Sequence, residues 1–242
     1  MKKRNKKVKI FKILFVILLI FLVAFLIYYS FFKNNDKEEV KVVKKIDSYG
    51  YNLNDNETEL YNKYFEELDK ILSNADVNYE EYAKTISKLF IIDFYTLNNK
   101  LSKNDIGGTD FIKESMRDNF IEQARSTFYK YLQVKDKNRN QSLPEVSKIN
   151  NVEVENAVFT IIDKNVSTTT IKSKTRTTKQ KGVEVPAYKV TISWDYKEDL
   201  GYQTDAVLTI IKEDKKLYIV QMENETDTNK TSTSNTKLKS SY

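Results

Sequence analysis

The spacing of apolar residues divides the chain into a helical half and a β half. Three stretches, at about 56–72, 80–98 and 110–133, place apolar residues on one face at helical spacing and therefore predict three helices. Asn56, followed by Glu59 three residues later, has the form of a capping box and predicts the start of the first helix.

Beyond the third helix the apolar period changes from 3.6 residues to two. The clearest case is YKVTISWDY at 188–196, where apolar and polar residues alternate and predict a half-buried strand. Further strands are predicted at 152–162, 202–211 and 217–222. The last two are joined by a turn at 213–216, and so short a connection favours antiparallel pairing. This order predicts an α+β domain in which three helices pack on an antiparallel sheet of about four strands.

Residues 13–32, ILFVILLIFLVAFLIYYSFF, carry no charge and predict a transmembrane helix. A helix of 20 residues is about 30 Å long, which matches the hydrocarbon core of a bilayer. A buried helix of a soluble domain and a cleaved signal peptide are the alternatives. An uncleaved anchor is favoured because a signal peptide has a shorter apolar region and ends in small residues, whereas this run ends in bulky aromatic residues.

The basic residues near the N-terminus predict the orientation of this anchor. Residues 1–12 contain seven basic residues and no acidic one, and without them 33 basic residues face 34 acidic ones. The positive-inside rule therefore predicts a plasma-membrane protein with residues 1–12 in the cytoplasm and the rest of the chain outside. We expect a stalk at 33–55, an extracytoplasmic domain at 56–222 and a disordered polar tail at 223–242.

The composition argues against several kinds of site. The chain has no cysteine and no histidine, so it lacks thiolates, disulfides, the commonest transition-metal ligand and the usual general base. No nucleophile–base pair or phosphate-binding motif is visible. We therefore expect no catalytic residue, no metal and no cofactor, and we do not expect an enzyme.

In its order of elements the chain resembles the nuclear transport factor 2-like superfamily, in which helices pack on a curved sheet to make a cone. A cytoplasmic tail, one membrane helix and such a domain outside are also similar to the inner-membrane assembly factors of type IV secretion and conjugation machines. The resemblance covers most of residues 1–222 and concerns topology. No residue motif is matched, so no functional residue is carried over.

Asp93, in the segment FIIDFY, lies on the apolar face of the second predicted helix. A carboxylate needs partners there, because burying it alone is costly. We expect a structural hydrogen bond to a loop backbone, or a contact with Arg117 or Arg125 of the next helix. The alternative is a polar group that points into the mouth of a cone-shaped pocket. In enzymes of the resembling superfamily, such carboxylates act as bases together with His or Tyr.

Residues 164–182 form a basic stretch without an acidic residue. We expect a solvated hairpin arm, and the alternative is a contact with an anionic envelope polymer, acidic lipid or acidic protein. Nucleic acid is not the expected partner, because no aromatic residue interleaves the charges to stack on bases. Five basic residues would make such a contact: Lys172, Lys174, Arg176, Lys179 and Lys181.

The pair Gly107–Gly108, in SKNDIGGTDF, is interpreted as a corner between the second and third helices. A phosphate-binding loop would follow a strand, and Asp110 would repel a phosphate. We expect both glycines to supply positive φ, and Thr109 or Asp110 to cap the next helix.

Three classes of function remain, and we rank them by how well the sequence supports each. The first is a membrane-anchored extracytoplasmic scaffold or docking module of a cell-envelope complex, such as secretion or conjugation machinery. Its partners would be envelope proteins or further copies of itself. The alternative is an extracytoplasmic module that binds or senses a small ligand. An enzyme ranks last.

Overall fold

The structure is a computed structural model that describes Phe25, residues 44–161 and residues 182–224. The chain divides into two compact units, Met1–Val42 and Val43–Tyr242, and every described residue except Phe25 belongs to the second unit. No helix within 44–161 and 182–224 is long and apolar enough to cross a membrane. The span predicted at 13–32 lies, Phe25 apart, outside the described residues.

The second unit begins its helical half with two capped helices, α1 at Glu59–Leu72 and α2 at Tyr79–Tyr95. The side chain of Thr58 caps α1 by accepting the backbone N–H of Tyr61 at 3.2 Å. The cap is therefore Thr58 and not Asn56, because the side-chain amide of Asn56 instead donates to the Asn99 carbonyl at 3.4 Å.

The third predicted helix is shorter than its apolar pattern indicates. A 3-10 turn occupies Thr109–Phe111, and helix α3 runs from Glu114 to Ser126, where 110–133 was predicted. The helix ends at Thr127, whose φ of −120° and ψ of −96° are not helical. Phe128, Tyr129 and Leu132 follow in turns or loop and pack onto the core, whereas Tyr131 is exposed.

The β half has four strands, β3 at Val146–Ile161, β4 at Val183–Tyr196, β5 at Asp205–Glu213 and β6 at Lys216–Glu223. They form one antiparallel sheet in this order. The structure thus confirms the predicted α+β class with three helices and a four-stranded antiparallel sheet.

Strand β3 starts six residues before the predicted position. Its polar first residues pair with the end of β4, where Val146 lies opposite Tyr196, with register shifts between Val146 and Asn151. The backbone N–H of Val146 also donates to the Thr96 hydroxyl at 3.2 Å, which joins the strand to the end of α2. Because that part of β3 is mostly exposed, its sequence lacks the apolar alternation that reveals the other strands.

Residues 44–55 were predicted to end a stalk, but they fold onto the domain. A short hairpin pairs β1, Lys45–Ile46, with β2, Tyr51–Asn52. The Tyr51 side chain is buried, and its hydroxyl lies 2.7 Å from the hydroxyl of Tyr82 on α2. The folded domain therefore begins before residue 56, because this buried tyrosine fixes the hairpin to the core.

The space between the helices and the sheet is filled with aromatic side chains. The rings of Tyr95 on α2 and Trp194 on β4 have centroids 4.7 Å apart. Phe94 stacks with Phe90 at 5.5 Å and with Phe128 at 5.5 Å. The contact between Tyr95 and Trp194 links α2 to the sheet.

Candidate functional site

Asp93 is held by the loop that follows α2. One carboxylate oxygen pairs with the ammonium of Lys100, and the other accepts the backbone N–H of Gly108 at 2.6 Å. The Lys100 side chain is buried, and the Asp93 side chain is 13% exposed. Both partners belong to residues 96–108, so this carboxylate fixes the path of the loop.

Arg117 and Arg125 are not brought to Asp93. The Arg117 guanidinium donates through Nε to the carbonyl of Thr109 at 3.1 Å and so braces the 3-10 turn. Arg125 lies exposed in the last turn of α3. Sequence reasoning missed Lys100 because it follows the end of α2 by five residues, where helical spacing no longer predicts neighbours.

Glu57 is a second acidic group of this cluster and was also missed. Burial, together with the nearby Asp93 charge and against the opposing effect of Lys100, raises the pKa of its carboxyl to about 7. Burial acts to lower the pKa of the Lys100 ammonium, but the attraction of Asp93 and Glu57 outweighs it and raises that pKa. We call Glu57, Asp93 and Lys100 the Asp93 cluster. It joins the start of α1 to α2 and its loop.

The two glycines at the corner meet different requirements. Gly108 has a φ of +76°, and a Cβ on it would lie 2.6 Å from the Phe90 ring. Gly107 does not have positive φ, contrary to the prediction, but its Cβ would lie 2.2 Å from the Asp93 carbonyl oxygen. Neither Thr109 nor Asp110 caps a helix through its side chain. The corner is thus packed closely against α2.

The other residues predicted from the sequence to contact a partner are five basic residues of the stretch 164–182. These residues, Lys172, Lys174, Arg176, Lys179 and Lys181, lie outside the part of the chain that the structure describes. Within 44–161 and 182–224, no group of three or more acidic side chains is placed to hold a metal ion.

A cleft lies between α3 and β6 on the described surface. Its volume is about 200 Å³. We call it the α3–β6 groove. Its lining residues are Phe90, Ile112, Met116, Asn119, Phe120, Gln123, Ile219, Val220, Gln221 and Met222.

The walls of the α3–β6 groove are uncharged and of two kinds. One wall is a face of α3, on which Met116, Asn119, Phe120 and Gln123 follow the i, i+3, i+4, i+7 spacing of a single helical face. The other wall is four consecutive residues of strand β6. No lining residue is ionisable, although 31% of the chain is charged. Such a surface suits an uncharged occupant, since a charge would lose its hydration without gaining a partner.

Strand β6 is an edge strand of the sheet, and its outer side is scarcely used. On its inner side it pairs with β5 from Lys216 to Glu223. On its outer side, within the described residues, one isolated parallel bridge joins Ile219 to Ile112. Beyond that bridge the ladder has a register shift that leaves Val220 unpaired, and the outward backbone groups of the rest of β6 have no described strand beside them.

The groove combines an apolar floor with amide groups at its rim. Phe90, Ile112 and Ile219 are buried, whereas Met116 and Met222 are each 37% exposed. Methionine adapts its shape readily and is common at protein-binding surfaces. The sequence places Met116 and Phe120 on one helical face, but it cannot show which strand forms the edge beside them.

Comparisons with protein-family models, with curated proteins and with solved structures give no match to this chain. Its function must therefore be argued from its own residues.

Proposed function

We propose that this chain is a membrane-anchored extracytoplasmic docking module of a cell-envelope complex, and that the α3–β6 groove is its docking site. The observation that carries the proposal is an uncharged groove lined by ten residues, one wall of which is a strand edge that no other strand within 44–161 and 182–224 covers. Exposed methionines beside an open edge are typical of a surface that another polypeptide covers.

The volume of the groove supports a protein partner over a small ligand. Pockets for small molecules typically measure about 300–1,000 Å³, whereas the groove measures about 200 Å³. The aromatic packing of Tyr95 and Trp194 fills the space between α2 and the sheet. The alternative, a small-ligand-binding or sensing module, has no comparable observation in its favour among the described residues.

The anchor and the cellular setting belong to the proposal as well. The uncharged run at 13–32 and the seven basic residues before it support a single span with the domain outside. Three helices followed by a four-stranded antiparallel sheet support a nuclear transport factor 2-like cone. The most specific part of the proposal is a place in secretion or conjugation machinery. This part rests on resemblance in topology.

Site-specific photo-crosslinking in native membranes tests the docking proposal. A photoreactive amino acid at Asn119, an exposed residue of the groove wall, is expected to yield a discrete adduct with an envelope protein or with a second copy of the chain. The matched control is Asp118, an exposed neighbour that points away from the groove on the same helix. Equal adducts from both positions, or none from either, would overturn the proposal.

A further inference from the structure

We infer that the occupant of the α3–β6 groove is an extended, uncharged segment of a partner protein that adds to β6 as a further strand. This inference rests on the proposed docking function and names the chemistry of the partner. Three observations carry it: the open edge, the single bridge already on that edge, and the neutrality of both walls.

The open edge selects an extended backbone. From the register shift at Val220 to the end of β6 at Glu223, the backbone groups that point outward pair with no described strand. The outward backbone groups of an edge strand are spaced to match those of a neighbouring extended chain. An added polypeptide strand can therefore pair with several of them together. A helix satisfies its own backbone groups internally and would leave the edge of β6 unpaired.

The bridge at Ile219 shows that this edge accepts such a neighbour. Ile112 lies parallel to β6 there, just before α3 begins at Glu114 and leaves the sheet. The chain itself thus occupies one position of the outer edge, at Ile219. The groove continues along β6 from that position, between Val220, Gln221 and Met222 on one side and α3 on the other.

The walls then determine the side chains of the occupant. Successive side chains of an added strand point to opposite faces, so every second one faces the apolar floor of the groove. The amides of Asn119, Gln123 and Gln221 can donate or accept hydrogen bonds but offer no charge. We therefore expect apolar residues at alternate positions and no Asp, Glu, Lys or Arg within the four residues that pair with β6.

A peptide-display selection tests this inference on the full chain held in detergent. The probe is a library of random twelve-residue peptides. Enriched peptides should carry an alternating, uncharged core, and their binding should weaken at least tenfold for the Asn119→Lys variant. Asn138→Lys, the same change at an exposed loop residue outside the groove, should leave binding within twofold.

The backbone requirement is then measured on synthetic copies of the enriched peptides. N-methylation of amides along the core should weaken binding at least tenfold at alternate positions and less than twofold at those between, because alternate residues of an added strand bond to the edge. Equal tolerance at all positions, charged or non-alternating cores, or no groove-dependent enrichment would overturn the strand inference. If the Asn119 crosslink persists in that case, the docking function stands without it. If the crosslink is also missing, both fail.

Discussion

The carboxylate of Asp93 accepts the backbone N–H of Gly108 at 2.6 Å, across a separation of 15 residues. This bond fixes the corner between α2 and the 3-10 turn, from which the chain proceeds through Ile112 to α3. The wall of the α3–β6 groove is therefore positioned by a buried polar contact on the helix beneath it. The Asp93 carboxylate, for which we expect a structural contact and name a pocket position as the alternative, bonds to the loop that follows α2.

Replacing Asp93 by Asn is expected to destabilise the domain by about 3 kcal/mol, because the buried Lys100 ammonium loses its charged partner. The free energy of unfolding from urea denaturation measures this. The double variant Asp93→Asn with Lys100→Met should recover part of the loss, since no buried charge then remains unpaired. Unchanged stability of the single variant would contradict a structural role for Asp93.

Alanine substitution at the corner glycines should change the stability of the domain differently from alanine substitution at a glycine elsewhere in the chain. Gly108→Ala adds positive-φ strain and a clash with Phe90, whereas Gly201→Ala adds the strain alone, because its φ is +74° and its Cβ meets nothing within 4 Å. We expect Gly201→Ala to cost about 1 kcal/mol and Gly108→Ala clearly more. Thermal unfolding compares the two, and equal losses would mean that the corner relaxes away from α2.

Gly107→Ala tests close approach without positive φ. Its added Cβ would overlap the backbone of Asp93, which cannot move without displacing α2. We expect a loss of stability at least as large as that of Gly201→Ala, measured in the same thermal series. A neutral result would show that the loop does not pack as closely on α2 as the structure places it.

Glu57 should make the stability of the domain depend on pH. The pKa of its carboxyl is about 7 in the folded state and 4.5 as its ordinary value, so the folded state binds more protons between these values. The free energy of unfolding therefore falls as the pH rises through this window, and the loss is complete above the folded pKa. Relative to the Glu57→Gln variant, we expect the wild type to lose on the order of 1 kcal/mol between about pH 5 and about pH 8. Parallel stability curves for the two proteins would show that Glu57 keeps its ordinary pKa.

The α+β class was predictable because the change of apolar period from 3.6 to two is a local property of the sequence. The groove and the Asp93 cluster were not predictable, since both depend on residues far apart in the chain. Met116 and Val220 line one groove because β6 is the edge strand, and neither segment alone indicates the strand order. The hairpin that contains Lys45 and Tyr51 was not predicted for another reason. Each of its strands has two residues, which are too few to show an apolar period.

The most direct test of the docking claim is the size of the assembly that the full chain forms in native membranes, measured by native gel electrophoresis after mild solubilisation. The wild type and Asn138→Lys should migrate in the same large complex, whereas Asn119→Lys should migrate as the smaller, unassembled chain, because it places a charge in the neutral groove. Migration of Asn119→Lys in the same complex as the wild type would contradict docking through the α3–β6 groove.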